Sequence, residues 1–105
     1  MSPYSHLVQT EPTIQLPQNS ILIMYDPDAP NPPYLHWIVD NERTIVPYQG
    51  PSPPSGQTHH YMFELYRTSG QSIPSVKGGP GFQKEAFING LTLIGQTQFT
   101  FRSSI

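Results

Sequence analysis

Proline placement constrains this chain more than any other feature. Thirteen of its 105 residues are proline, and they fall between apolar runs of strand length instead of inside them. Proline has no amide hydrogen and a fixed φ, so it neither donates to a central β-ladder nor continues a helix interior. The run Ile21-Leu22-Ile23-Met24-Tyr25 must therefore end where Asp26-Pro27-Asp28-Ala29-Pro30 begins, which sets two carboxylates at a strand end. Gly50-Pro51-Ser52-Pro53-Pro54-Ser55-Gly56 works in the opposite sense. It is a stiff turn opening into His59-His60-Tyr61-Met62-Phe63, a strand with histidine and tyrosine at its entrance. Two such edges would meet around one small polar cavity.

Alternation along the runs predicts a mostly β domain with one short helix near its C-terminus. Ser20 to Tyr25 places Ile21, Ile23 and Tyr25 on one face and Leu22, Met24 and Asp26 on the other; with both faces apolar, the strand belongs in the middle of a sheet. Leu35 to Val39 is a second strand, with His36 and Ile38 opposite Trp37 and Val39, and Asp40-Asn41 ends it. Trp37 reads as core because of its large apolar surface. Thr44 to Val46 is a brief β-branched run. His59 to Tyr66 is the longest alternation, and its His59, Tyr61, Phe63 and Leu65 side is expected to face the core. Thr68 to Gly81 is rich in Ser, Gly and Pro and reads as loop. Its Gly78-Gly79-Pro80-Gly81 lacks the Lys-Ser/Thr ending and the preceding strand of a phosphate loop. The helix is expected over Phe82 to Asn89, burying Phe82, Ala86 and Phe87, with Gly90 as its stop. Thr97 to Phe101 closes the domain with Phe99 and Phe101 inward. Residues 1–19, broken by Pro3, Pro12 and Pro17, read as an arm laid on a single domain spanning 1–105, with at most a short edge strand at Thr13 to Leu16.

Only 11% of residues are charged, and the net charge is −2 with five Lys and Arg. No basic stripe is available for nucleic acid or an anionic membrane, so an anion would have to be held locally. The chain has no cysteine, which removes disulfides and thiolate metal sites. No apolar run reaches membrane-spanning length and Met1 to Thr10 has no signal-peptide pattern, so a cytoplasmic location is the default expectation.

Taken in order, Asp26-Pro27-Asp28-Ala29-Pro30, His36-Trp37-Ile38-Val39-Asp40-Asn41, the Gly50 to Gly56 turn and His59-His60-Tyr61-Met62-Phe63 resemble the motifs of the phosphatidylethanolamine-binding protein family. Phe82, Phe87 and Gln98-Phe99 resemble its last helix-and-strand segment, so the likeness runs from about Ile14 to Phe101. The resemblance implies an antiparallel β-sheet core with a small pocket for phosphate-like groups, lipid headgroups among them, and a role as inhibitor or scaffold of kinases or peptidases. It places Asp26, Pro30, His36, Pro54, His59 and Tyr61 around that pocket, with Tyr34 as an aromatic wall. His60 takes the place of a residue that is commonly arginine. Less chain precedes the first motif than in typical members, the loop from Pro30 to His36 is short, and nothing after Ile105 supplies the C-terminal helix that flanks the pocket in animal members. A more open pocket is expected.

A lone histidine at a strand end is ordinarily just a satisfied polar residue. Two histidines, each beside a rigid turn and inside this motif order, point to a site. Each would donate to an oxyanion, with Asp26 orienting an imidazole and favouring its protonated form, so that binding strengthens as pH falls. Asp28 reads as a structural residue that pins its turn through backbone N–H groups. The leading expectation is a binding protein without cofactor that captures a phosphoryl or similar anion and modulates a partner such as a kinase. A peptidase-inhibiting surface is the alternative. A metal-dependent hydrolase built on Asp26, Asp28, His36 and His59 is the weaker one, because their spacing matches no compact ligand motif and the chain has neither a cysteine nucleophile nor a Gly-x-Ser-x-Gly elbow.

Overall fold

The computed structural model describes residues 9–103; of the arm expected over residues 1–19, residues 1–8 lie outside the described ones. Five antiparallel strands, β1 (Ser20–Asp26), β2 (Tyr34–Asp40), β3 (Thr44–Val46), β4 (Thr58–Arg67) and β5 (Thr92–Arg102), make one sheet in the order β3-β2-β1-β4-β5. β1 is the central strand, as its two apolar faces require. Among the described residues one helix, α1 (Lys84–Phe87), stands between β4 and β5. No strand forms at Thr13 to Leu16, where Pro12 and Pro17 bracket too short a run to build a ladder.

Each face of the sheet carries its own core. On one, Ile21, Ile23 and Tyr25 pack with Leu35, Ile38 and the buried rings of Phe82 and Phe87, and Ile73, Val76 and Leu91 extend the cover. On the other, Met24, Trp37 and Tyr61 pack with Leu22, Phe63 and Phe99. Trp37 is 1% exposed, and its indole N–H donates to Glu11 Oε1 at 3.1 Å, which lays the chain before β1 across this second face. Gln9 Nε2 adds a 2.6 Å bond to the Pro51 carbonyl.

Strict alternation fails at one decisive position. Met24 pairs with Trp37 and Tyr25 with Leu35, so His36 is an extra residue in β2 opposite no residue of β1. Such a bulge turns two consecutive side chains to the same side. His36 therefore joins Trp37 on the second face instead of lying opposite it with Ile38, which corrects the period-two reading of this strand.

β4 likewise buries both sides. His59 and Tyr61 are buried on the second face, but farther along it is Glu64 and Tyr66, on the first face, that are buried, while Phe63 and Leu65 are only partly covered. The expectation that one alternating set alone faces the core holds just for the strand's first half.

The segment after β4 is also less loose than its composition suggests. Gly79 exchanges backbone hydrogen bonds with Leu35 at 2.8 and 3.0 Å, while the Gly81 and Phe82 amides donate to Asn31 and Pro33 carbonyls. Gly79 has φ 120°, a region open to glycine and costly for other residues. With those amides committed to the proline turn, the helix begins only at Lys84, shorter than the Phe82 to Asn89 expected, and Ala86 is exposed. The Pro32–Pro33 peptide in that turn is cis. β5 starts at Thr92, well before the expected Thr97. Its first part has exposed Leu93 and Ile94, so pairing to β4, not burial, makes it a strand.

Candidate functional site

The C-terminal end of β1 and the N-terminal ends of β2 and β4 lie side by side in an antiparallel sheet, so their first or last residues converge. All seven residues singled out in the sequence line one cavity of about 240 Å³ there. Asp26 comes from β1 and Pro30 from the turn after it; Tyr34 and His36 open β2, His59 and Tyr61 open β4, and Pro54 closes the rim. Ala29, Ser52 and Pro53 complete the lining. Sequence reasoning missed these three because small and turn residues carry no chemical signal; their neighbours in the two proline segments were the available hint. His60, adjacent to His59, points away and is exposed, as alternation requires.

His36 owes its place to the bulge and to Gln49. The Gln49 amide donates to the His36 carbonyl at 2.9 Å, and His36 Nδ1 lies 2.5 Å from the Gln49 carbonyl. A carbonyl only accepts, so Nδ1 carries the proton and Nε2 is the ring nitrogen available to a ligand. The ring packs at 4.7 Å on Tyr34 and edge-on at 5.3 Å to Tyr61. Burial pushes the His36 pKa below its usual value, against the opposing pull of the Gln49 carbonyl and the Asp26 carboxylate. The expectation that a nearby carboxylate would favour the imidazolium is thus corrected for His36: desolvation wins.

Asp26 holds two things at once. Its Oδ1 accepts the Asp28 amide at 2.7 Å, which closes the turn. Its Oδ2 accepts from His59 Nδ1 at 2.7 Å, and His59 Nε2 stands 3.0 Å from Gln57 Oε1. Both ring nitrogens of His59 are therefore engaged, Nε2 only by an exposed glutamine at the rim. Asp28 turns outward. Its Oδ2 accepts the His60 amide and faces His60 Nδ1, each at 2.7 Å, and these bonds, the backbone one first, hold its carboxyl below the usual range. Asp28 is structural as expected, but it ties the turn to β4, and the turn itself is closed by Asp26. Among the described residues, no three histidine or carboxylate side chains are grouped to hold a metal ion.

Tyr61 forms the floor. It is fully buried, stacked on Phe99 at 5.4 Å, and among the described residues its hydroxyl is the one buried side-chain polar atom without a hydrogen-bond partner. The Ser52 backbone lies near enough to favour its ionised form slightly, but no hydrogen bond joins the two. Desolvation above all, with the Asp26 charge, drives its pKa far up, so the group stays a hydroxyl able to donate. Leaving such a group unsatisfied costs about 1–3 kcal/mol.

A second polar cluster, which no sequence pattern announced, lies on the opposite face. Glu64, 5% exposed, accepts from the hydroxyls of Tyr25 and Tyr66, each at 2.5 Å. Lys84 Nζ on α1 reaches both its oxygens at 3.3 and 3.4 Å and the Tyr25 hydroxyl at 3.1 Å. Burial alone would raise the Glu64 pKa, but these donors together hold it below the usual value. The cluster fastens α1 to the sheet and takes no part in the cavity.

Comparison with known proteins points to the family that the motifs resemble. Residues 40–99 match the family model described as phosphatidylethanolamine-binding protein. A UPF0098 protein of Mycobacterium bovis is 34% identical over 94 residues, covering 68% of this chain and 46% of its own. The Arabidopsis thaliana protein BROTHER of FT and TFL 1 is 39% identical over 74 residues, 56% of this chain and 40% of its own. FLOWERING LOCUS T of the same plant is 32% identical over 91 residues, 68% of this chain and 51% of its own. The chain thus spans about half the length of these relatives.

Proposed function

The chain belongs to the phosphatidylethanolamine-binding protein family, and from that premise we propose that its pocket captures a small phosphoryl-type anion, free or on a headgroup or phosphorylated partner, and that occupancy modulates a protein partner such as a kinase. The observation that carries this reading is the buried Tyr61 hydroxyl, unpartnered at the floor of a cavity whose rim is set by rigid proline turns. A ligand oxygen accepting from that hydroxyl removes the cost of leaving it unsatisfied. Displacing the exposed Gln57 side chain opens His59 Nε2 to the ligand, with Asp26 behind it fixing the ring. Titration of the protein with phosphate, phosphoethanolamine and a phosphotyrosine peptide tests the assignment. Binding by the wild type that weakens in Tyr61→Phe and His59→Ala is the expected result. No binding, or equal binding by both variants, sinks it.

A further inference from the structure

Asparagine occurs at positions 19, 31, 41 and 89, and at each the side-chain carbonyl carbon is one ring closure away from the backbone nitrogen of the next residue. Whether that nitrogen can attack depends on what else holds it and how crowded it is. Three of the four are blocked. Asn31 precedes Pro32, whose nitrogen has no hydrogen to lose. After Asn41, the Glu42 amide donates to Asp40 Oδ1 at 2.8 Å, a charge-assisted bond that attack would have to break. After Asn19, Ser20 is 2% exposed and paired with Arg67 in the ladder, which fixes the backbone in an extended form. Asn89 differs on each count. It is exposed in the turn between α1 and β5, and among the described residues its side chain has no hydrogen-bond partner. The next residue is glycine, and the Gly90 amide donates to no described group, although Ile88 and Leu91 on either side donate to the Lys84 and Ile88 carbonyls at 2.9 and 2.8 Å. The fold also requires glycine at this position. Gly90 has φ 86°, its carbonyl accepts from Gln71 Nε2 at 2.7 Å, and a Cβ there would lie 2.6 Å from Gln71 Oε1.

We propose that Asn89 and Gly90 form a self-modification site in the folded protein, independent of the cavity and of what it binds. The Gly90 nitrogen gives up its proton and attacks Asn89 Cγ. The new N–Cγ bond closes a five-membered succinimide, the Cγ–Nδ2 bond breaks, and Nδ2 leaves with that proton as ammonia. One water then opens the ring at either carbonyl, giving aspartate or isoaspartate, so the net change is asparagine and water to acid and ammonia. Because the nucleophile is the deprotonated amide, conversion quickens as the solution becomes more alkaline. Either product carries a new carboxylate four residues after Glu85 and takes the net charge of −2 one unit further negative. The isoaspartyl product also routes the main chain through the former side chain. It lengthens the turn between α1 and β5 by one carbon, in a place where the Leu91 amide must reach the Ile88 carbonyl.

The other three asparagines are the internal controls of the test. The whole folded chain is held at mildly alkaline and at mildly acidic pH, and in parallel in urea, then digested under acidic conditions so that mass spectrometry reads the amide-to-acid conversion at each asparagine. In the folded protein Asn89 is expected to convert at least about tenfold faster than Asn19 or Asn41, the factor that one hydrogen bond held by the attacking amide can impose. Conversion at Asn89 should be slower at the acidic pH, and chromatography of its peptide should resolve both the aspartyl and the isoaspartyl product. Asn89→Gln, a change at an exposed side chain, should abolish the acidic species that ion exchange separates as the wild type ages. If Asn89 stays an amide in the folded protein while it converts in urea, the fold protects this turn and the proposal is wrong. Conversion at Asn19 or Asn41 as fast as at Asn89, or an acidic species that persists in Asn89→Gln, overturns it as well. The wild-type peptide map decides even if that variant does not fold.

Discussion

Asp26 Oδ2 stands 2.7 Å from His59 Nδ1 across the neighbouring strands β1 and β4, and both side chains are more than nine-tenths buried. The same carboxylate closes the turn through the Asp28 amide. One residue thus couples the shape of the rim to the orientation of a pocket histidine.

Replacing Asp26 should therefore cost stability as well as ligand affinity. Asp26→Ala leaves the Asp28 amide and His59 Nδ1 without their acceptor, and hydrogen bonds to charged groups contribute about 1.5–3 kcal/mol. Asp26→Asn retains one acceptor oxygen and should lose less. Urea unfolding measures both; an Asp26→Ala variant within about 0.5 kcal/mol of wild type would show that the carboxylate is not needed to hold this end of the sheet.

The Glu64 cluster predicts acid sensitivity. Its folded pKa lies below the unfolded value, because Tyr25, Tyr66 and Lys84 outweigh the effect of burial. A depressed carboxylate contributes stability that is complete above its unfolded pKa, about 4.3, and is lost as pH falls through the folded value. Glu64→Gln removes the charge and leaves one tyrosine hydroxyl short of an acceptor, so near neutral pH it should be less stable by about 1–3 kcal/mol. The gap between the two unfolding curves should close below about pH 4. A gap that stays constant down to about pH 3 would place the interaction elsewhere.

His36 gives the opposite kind of titration. With its pKa lowered by burial, the folded protein binds fewer protons here than the unfolded chain once pH drops below about 6.5, the ordinary histidine value. Its neutral form is thus favoured by folding, and that contribution is present above about pH 6.5 and lost as pH falls toward the folded pKa. Wild-type stability should decline between about pH 7 and about pH 5, and His36→Asn should flatten that decline. Ring nitrogen shifts followed by NMR give the pKa directly; a His36 pKa at or above about 6.5 would contradict the desolvation account.

Much of this molecule could be read without a structure because its signals are local. A proline ends a strand wherever it stands, and β-branched and aromatic runs between prolines and glycines have few alternatives to an antiparallel ladder. The centrality of β1, the placing of β2 and β4, and Trp37 as core follow from that punctuation and from both faces of a run being apolar. The candidate cavity was legible too, since residues at corresponding ends of antiparallel neighbours are brought together by the sheet itself.

What the folded chain alone decided depends on partners distant in sequence. The bulge at His36 is a one-residue slip in pairing between β1 and β2, and nothing in Tyr34-Leu35-His36-Trp37 distinguishes it from plain alternation until the facing strand is set. His36 reaches Tyr61 because of that slip, and its tautomer is set by a carbonyl of Gln49, a backbone group that every residue possesses. Glu64 reads as one more outward polar residue until α1 delivers Lys84 to it, 20 residues further along. Its protonation, like that of His36, follows from the balance between lost water and gained partners. That balance exists only once the chain has closed around the group.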